Sequence, residues 1–160
     1  MIKKVSKIQR IRKYSYPGIL FILAITGFAQ MPVFKRYYIA DIPGLGWLAQ
    51  FYTTHFIHYG AAALFFGLSA YLAADFLLMK RKKLKITASG YLRGILLCGI
   101  AATGILLVIR NSFFVPFSPE TVIFLDIGHL GLVMIFLWVA FAAFIRRRSW
   151  TIPRQIGNRQ

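Results

Sequence analysis

The sequence predicts an all-α integral membrane protein, a four-transmembrane-helix bundle whose two termini both lie in the cytoplasm. Three observations support this prediction. Of the 160 residues, 58% are hydrophobic, and the mean hydropathy is +0.63. Four stretches with few or no charges are long enough to cross a bilayer, which takes about 20 apolar residues. The basic residues are concentrated at one end of each stretch, as a fixed orientation in a membrane requires.

The first predicted span, residues 14–34, follows the basic N-terminal tail at residues 1–13. It carries no charge and covers about 30 Å at about 1.5 Å per residue. A basic start before an apolar run also fits a signal peptide. However, the run is long, Ala29-Gln30-Met31-Pro32 is a poor cleavage site, and similar stretches follow. We therefore interpret residues 14–34 as a membrane helix.

The second predicted span covers residues 51–79 and is interrupted only by two histidines and Asp75. The loop from Lys80 to Lys85 that follows is short and very basic. The third predicted span covers residues 86–109. A long apolar run on each side of a short basic loop predicts two helices that cross the membrane in opposite directions.

The fourth predicted span covers residues 120–145. It begins after Ser118-Pro119, because serine caps a helix start, proline fits the first turn, and the acid of Glu120 favours the positive end of the helix dipole. It ends at Arg146-Arg147-Arg148. We expect the basic C-terminal tail, residues 149–160, to be mobile. We detect no internal repeat and no soluble domain, so residues 1–160 are predicted to form a single membrane domain.

The basic residues set the predicted orientation. The N-terminal tail, residues 80–93 and the tail from Arg146 hold 17 of the 20 Lys and Arg, and the loops at 35–50 and 110–118 hold the other three. The positive-inside rule places the rich segments in the cytoplasm and the two loops outside. The net charge of +16 therefore reflects topology and contact with membrane lipid, not nucleic-acid binding. The predicted location is the inner (plasma) membrane, as a multi-pass protein.

The single cysteine narrows the chemistry further. Cys98 lies in the middle of the third span and is interpreted as an ordinary small apolar residue. One cysteine excludes a disulfide framework, a cluster held by several thiolates, and covalently attached c-type haem. The composition as a whole excludes a soluble enzyme.

All three histidines lie inside predicted spans, where an ionisable side chain is costly and marks a functional site. His58 lies about seven residues, or about 10 Å, from the outer end of the second span, and His129 about nine residues, or about 13 Å, from the outer end of the fourth. Two imidazoles at similar depth on separate helices can supply both axial ligands of a haem iron. We favour haem, with His58 and His129 as its ligands.

His55 is the alternative ligand, because it lies one helical turn from His58 on the same face. It could instead bond a haem propionate or a quinone oxygen. Asp126 has three candidate roles: an ion pair with Arg110, a hydrogen bond near the haem, or acceptance of a proton from quinol. The residues on the same side that could neutralise haem propionates are Lys35, Arg36 and Arg110.

Two other interpretations of the histidines remain open. They could form a polar cluster bonded to backbone carbonyls or water. They could also bind zinc together with Asp126, although the compact H-E-x-x-H motif of membrane metallopeptidases is absent. The small residues nearby have two interpretations as well, since they either make room for a flat macrocycle or let helices pack closely. Those residues are Gly60, Ala61–Ala63, Gly99, Gly104, Gly128 and Gly131.

Four short segments, distributed over the predicted spans, resemble a known family. They are Thr26-Gly27-Phe28-Ala29, Thr54-His55-Phe56-Ile57-His58-Tyr59-Gly60-Ala61, Arg93 with Thr103-Gly104, and Gly128-His129-Leu130-Gly131. Over residues 14–147, the chain resembles the four-helix cytochrome b subunits of respiratory formate dehydrogenases and nickel–iron hydrogenases. The resemblance implies a four-helix membrane bundle with cytoplasmic termini, as the charge distribution predicts independently.

The resemblance also implies a function. Subunits of this family bind b haem and pass electrons between a quinone, here menaquinone or ubiquinone, and a partner that is an iron–sulfur protein or a cytochrome. Their outer haem is held by histidines of the second and fourth helices, which match His58 (or His55) and His129. Their second haem needs histidines in the first helix and late in the fourth, but residues 14–34 and 132–146 contain none. The resemblance therefore implies a variant with a single haem.

We therefore expect a membrane-anchored b-type cytochrome subunit that relays electrons between a quinone pool and a redox partner through one extracytoplasmic haem. Such a protein is an electron-transfer subunit of an oxidoreductase complex and not a stand-alone enzyme. The alternative is a redox-inactive membrane anchor or assembly subunit whose histidines serve packing. A small transporter or channel subunit is disfavoured, because the inner halves of the spans offer little polar lining beyond Asp75 and Thr103.

Overall fold

The computed structural model describes residues 7–31, 41–111 and 116–154, and most of these residues are helical. A 3-10 turn at Gly46–Ala49 precedes the second helix, and a π-helical turn at Phe76–Lys80 continues it. The helices are α1 (Lys7–Ala29), α2 (Phe51–Asp75), α3 (Ala88–Asn111) and α4 (Pro119–Ile145), and the strands are β1 (Leu84–Ile86) and β2 (Thr151–Pro153).

Three helical segments are long and apolar enough to cross a membrane: Phe51–Lys80, Ala88–Asn111 and Pro119–Ile145. They confirm helices at the second, third and fourth predicted spans, with ends that differ by one or two residues. Few of their residues are buried, and large apolar side chains such as Phe124 and Phe144 are exposed. Exposed apolar surface along a whole helix is what lipid contact requires, so the chain has the character of a membrane protein.

α1 differs most from its predicted span. It begins within the basic tail, at Lys7, and its apolar part is Tyr14–Ala29, which is shorter than the three segments above. The helix ends at Ala29, three residues before Pro32 in the sequence, since a residue that precedes proline disfavours helical geometry. Residues 32–34 of the predicted span lie outside the described residues.

The chain forms two compact units, residues 1–79 and 80–160. In the first unit α1 packs against α2, and the 3-10 turn before α2 contacts both helices. The rings of Tyr16 on α1 and Phe65 on α2 lie 5.6 Å apart. The side chains of Thr26 and Thr54 are almost completely buried, and Leu48 is 3% exposed. The contact between the two helices is thus partly apolar and partly made by threonines.

In the second unit α3 packs against α4, and β1 pairs with β2 as an antiparallel two-stranded sheet. Ser118 caps α4 as predicted, because its hydroxyl accepts a hydrogen bond from the backbone N–H of Thr121 at 3.4 Å and proline occupies the first turn. The buried apolar residues of this unit are Leu96, Leu125, Phe136 and Ala143.

The start of the C-terminal tail is folded, which contradicts the expected mobility of this segment. Arg147 has φ 50°, a left-handed conformation that ends α4 and reverses the chain. The backbone N–H of Thr87 then donates to the carbonyl of Trp150 at 3.0 Å, and that of Arg154 donates to the carbonyl of Lys83 at 2.8 Å. The expectation is wrong for residues 149–154, since sheet hydrogen bonds hold them. Residues 155–160 lie outside the described residues.

Candidate functional site

In the first unit, Thr26 on α1 contacts His58 on α2. The Thr26 hydroxyl oxygen lies 2.9 Å from Nδ1 of His58 and 2.7 Å from the carbonyl oxygen of Ile22, one turn earlier in α1. Gly27 follows Thr26, and a Cβ at this position would lie 3.4 Å from Cε1 of His58. The glycine therefore lets the imidazole lie against the backbone of α1 near its end.

In the second unit, Thr103 on α3 contacts His129 on α4 in the same way. The Thr103 hydroxyl oxygen lies 2.9 Å from Nδ1 of His129 and 2.9 Å from the carbonyl oxygen of Gly99, again one turn earlier in its helix. Gly104 follows, and a Cβ there would lie 3.3 Å from Cε1 of His129. Each unit thus contains a Thr-Gly pair on its first helix and a histidine on its second, and we call this arrangement the Thr–His pair.

The hydrogen bonds of a Thr–His pair favour one tautomer of the imidazole. A carbonyl oxygen can only accept, so the hydroxyl at 2.7 Å from Ile22 O donates its one proton there. A hydroxyl that donates to this carbonyl can accept from Nδ1–H of His58, and that arrangement leaves the lone pair of the neutral ring on Nε2. The same reasoning applies to Thr103 and His129. The two contacts favour the same tautomer for both imidazoles, with the proton on Nδ1 and the lone pair on Nε2.

His55 has different surroundings. Gln30 donates from Nε2 to the carbonyl of Thr26 at 3.2 Å, and its Oε1 lies 3.0 Å from Nδ1 of His55. The ring of His55 also stacks on that of Phe51 at 5.2 Å and lies 4.2 Å from the ring of Tyr59. His55 thus occupies an aromatic and amide environment next to the Thr26–His58 pair and does not share its geometry.

Asp126 and Arg110 form an ion pair at 3.0 Å, with hydrogen bonds from the guanidinium to both carboxylate oxygens. Of the three candidate roles of Asp126, the structure therefore contains the ion pair. Both side chains keep some solvent exposure, 52% for Asp126 and 26% for Arg110. The two other candidate partners of haem propionates, Lys35 and Arg36, lie outside the described residues.

The glycines near the histidines fall into two groups. A Cβ at Gly99 would lie 3.2 Å from Leu132, and Gly104 abuts His129, so on α3 the absence of a side chain permits close helix packing. Open space surrounds the others, since a Cβ at Gly60, Gly128 or Gly131 would have no atom within 4 Å. These three positions do not serve helix packing among the described residues.

The described residues do not contain the group of ligands that the zinc interpretation needs. Across the three described ranges, no group of three or more histidine, cysteine or acidic side chains is arranged to hold a metal ion. Of the histidines, His58 and His129 each contact one threonine hydroxyl, whereas His55 contacts the amide of Gln30.

Sequence reasoning missed Thr26 and Thr103 as partners of the histidines, although both belong to segments that carry the family resemblance. The signal that could have identified them is the Thr-Gly dipeptide, which occurs in both α1 and α3, each followed by a histidine in the next helix. The repeated pattern consists of three residues per unit, too few to register as an internal repeat. No protein-family model, curated protein or solved structure matches the chain.

Proposed function

We propose that the protein is a membrane-anchored b-type cytochrome subunit that holds one b haem with His58 and His129 as axial ligands. It relays electrons between a quinone pool and a redox partner, either an iron–sulfur protein or a cytochrome. The observation that carries this proposal is the Thr–His pair, present with the same geometry in both units. The family resemblance of the same segments supports it independently.

The residues fit a haem iron by their donor chemistry. A histidine that binds a metal through one ring nitrogen almost always donates from the other to a fixed acceptor, which sets the ring's orientation and tautomer. His58 and His129 each donate from Nδ1 to a threonine oxygen that is itself anchored to its helix. Two neutral imidazoles that bind through Nε2 would be able to hold the iron of a b haem.

A histidine that served only helix packing would not need the same threonine contact and adjacent glycine in both units. A single imidazole inside a helix pair can be satisfied by any nearby acceptor, whether a carbonyl, a hydroxyl or an amide, as His55 and Gln30 illustrate. His58 and His129 instead share acceptor type, distance and an adjacent glycine against Cε1. This match also favours His58 over His55 as the ligand from α2.

A bound haem supplies reversible one-electron transfer between ferric and ferrous iron. The protein's own residues orient the ligands through Thr26 and Thr103. The guanidinium of Arg110 lies on the side that the sequence assigns to the propionates. The charge distribution places this side outside the cytoplasm and favours the inner membrane as the location.

Alanine substitution of each histidine tests the proposal. The protein is expressed in membranes with adequate haem supply and purified in mild detergent, and haem per chain is measured from the reduced-minus-oxidised spectrum. We expect His58→Ala and His129→Ala to lose haem while they still insert into the membrane. His55→Ala is the matched control, one turn away on the same helix, and should keep its haem.

Two results would contradict this assignment. Full haem loading in His129→Ala would remove His129 as a ligand, and loss of haem in His55→Ala with retention in His58→Ala would make His55 the ligand. A colourless wild-type protein whose complex assembles normally after replacement of all three histidines would favour the redox-inactive anchor instead.

A further inference from the structure

The β1–β2 sheet joins two basic segments that are far apart in the sequence. Residues 80–87 run from the end of α2 to the start of α3, and residues 146–154 follow α4. Antiparallel pairing places Lys85 opposite Ile152, and the N–H of Arg154 donates to the carbonyl of Lys83 at 2.8 Å. We call these two segments together the basic clasp.

Two residues near the start of α3, Arg93 and Gly90, contact the C-terminal segment of the clasp. The Arg93 side chain is 6% exposed; it donates to the carbonyl of Arg148 at 3.3 Å, and its guanidinium carbon lies 4.2 Å from the centre of the Trp150 ring. Gly90 is buried, and a Cβ there would collide with the carbonyl oxygen of Trp150. The fold thus fixes the clasp against the start of α3 in spite of its charge.

The clasp carries eight exposed basic side chains and no acid, and the acid that precedes it in the sequence is Asp75, five residues before Lys80. From residue 80 onwards the sequence has only two acids, Glu120 and Asp126. Both lie near the start of α4, where Asp126 pairs with Arg110 near the end of α3, so they lie at the opposite end of both helices from the clasp. The exposed basic residues of the clasp are Arg81, Lys82, Lys83, Lys85, Arg146, Arg147, Arg148 and Arg154.

The position of the clasp at the ends of two membrane-spanning helices indicates which negative groups lie near its basic side chains. α3 begins and α4 ends at the clasp, and both helices are long and apolar enough to cross a membrane. In a bilayer the clasp therefore lies at the depth of the lipid headgroups, where basic side chains interact with phosphate. Trp150 and Ile152 are also exposed there, and such side chains enter the interface.

We propose that the basic clasp is a binding site for anionic phospholipid, and that it recognises the phosphate of the headgroup through the guanidinium and ammonium groups that the sheet brings together. The proposal is independent of haem. It also differs from the general effect of basic loops on topology, because the affinity depends on the folded clasp and not only on the number of charges.

Two glycine variants distinguish the contribution of the folded clasp to lipid binding from the contribution of its charge. Gly90→Ala places a methyl group against the Trp150 carbonyl and opens the clasp, and Gly94→Ala makes the same change one turn later on α3, where nothing lies within 4 Å. Both keep every charge. Each protein is reconstituted into nanodiscs of phosphatidylcholine alone or mixed with phosphatidylglycerol, and the phosphatidylglycerol that remains bound after detergent exchange is counted by native mass spectrometry.

We expect the wild-type protein and Gly94→Ala to retain phosphatidylglycerol over phosphatidylcholine by roughly tenfold, since several basic groups each contribute near a charged surface. Gly90→Ala should lose most of this preference. A triple variant, Lys83→Gln with Lys85→Gln and Arg154→Gln, should lose it as well, and the same loss of charge at Lys3, Lys4 and Lys7 should not. These charge variants keep the test informative if Gly90→Ala folds poorly.

Several results would overturn the proposal. Equal lipid retention by Gly90→Ala and Gly94→Ala, both well folded, would show that charge alone suffices. Retention of phosphatidylcholine as firmly as phosphatidylglycerol would remove headgroup recognition. Release of the bound lipid by millimolar inorganic phosphate, on the order of its concentration in cells, would identify a free phosphate site in place of a lipid site.

Discussion

The hydroxyl oxygen of Thr103 lies 2.9 Å from Nδ1 of His129 and 2.9 Å from the carbonyl oxygen of Gly99. Since a carbonyl can only accept, a threonine proton directed to Gly99 leaves the hydroxyl oxygen able to accept from Nδ1–H of the imidazole. Thr26 and His58 repeat this relationship in the other unit. The same arrangement in both units favours a lone pair on Nε2 of each histidine.

Removal of this acceptor should change the redox potential of the proposed haem. Thr103→Val keeps the side-chain volume and removes the oxygen that accepts from His129. Donation from Nδ1 makes an imidazole a stronger ligand for ferric iron, so its loss should raise the midpoint potential. A hydrogen bond worth about 1 kcal/mol corresponds to about 40 mV for a one-electron couple. A spectroelectrochemical titration measures the shift.

Thr103→Ser is the control for the potential shift, because it restores the hydroxyl and should return the potential to the wild-type value. Thr26→Val and Thr26→Ser should behave in the same way at His58. If the valine and serine variants titrate at the wild-type potential with full haem content, the threonines do not act through the histidines.

A methyl group at Gly104 should loosen the haem. It would lie 3.3 Å from Cε1 of His129, a distance that forces the ring to shift by a few tenths of an ångström. We expect Gly104→Ala to release haem at a lower temperature, as followed by loss of the Soret band on heating. Gly94→Ala adds the same methyl in open space, gains about 0.5–1 kcal/mol of helix propensity, and should hold its haem at least as well as wild type.

Neutralisation of Asp126 should have a small effect on stability. The Arg110–Asp126 pair is partly exposed, and such pairs contribute about 0–1 kcal/mol. We therefore expect Asp126→Asn to keep its haem and to unfold within a few degrees of the wild-type protein in a thermal scan. If the fully loaded variant no longer accepts electrons from added quinol, the role of Asp126 is proton acceptance and not only pairing.

Loss of the Arg93 guanidinium should open the clasp. Arg93→Gln removes the cation beside Trp150 and weakens the bond to the carbonyl of Arg148. The strands should then separate more often, so limited trypsin digestion should cut after Lys85 and Arg148 faster, by about tenfold for about 1.4 kcal/mol of lost closing energy. The exposed Arg81 provides the control, since Arg81→Gln should leave these rates unchanged. Equal cleavage rates in both variants would show that Arg93 does not hold the sheet.

The helices were predictable and the small sheet was not, for physical reasons. Hydropathy and the Ser118 cap are local signals, and they placed the helical segment Phe51–Lys80 and the helices α3 and α4 to within one or two residues. β1 and β2 have three residues each and lie more than 60 residues apart. No alternation is readable in three residues, and a strand pairing at such separation depends on contacts that the local sequence does not specify.

The sequence alone predicted the histidines of the candidate site, but it did not predict the threonine hydroxyls that contact them. A histidine inside an apolar span is conspicuous in a sequence, because its burial is costly. A threonine is not, since its hydroxyl can return to its own helix, as Thr26 does with Ile22. Only the packing of α1 on α2 and of α3 on α4 shows that these hydroxyls also face the histidines.

The central claim is that the chain holds one b haem, and the haem content of the wild-type protein tests it most directly. The protein is purified from membranes with adequate haem supply, and haem per chain is measured as the pyridine haemochrome together with the reduced-minus-oxidised spectrum. We predict one haem per chain, with the sharp bands of a b-type cytochrome. Protein that contains no haem when isolated with its native partners would contradict the claim.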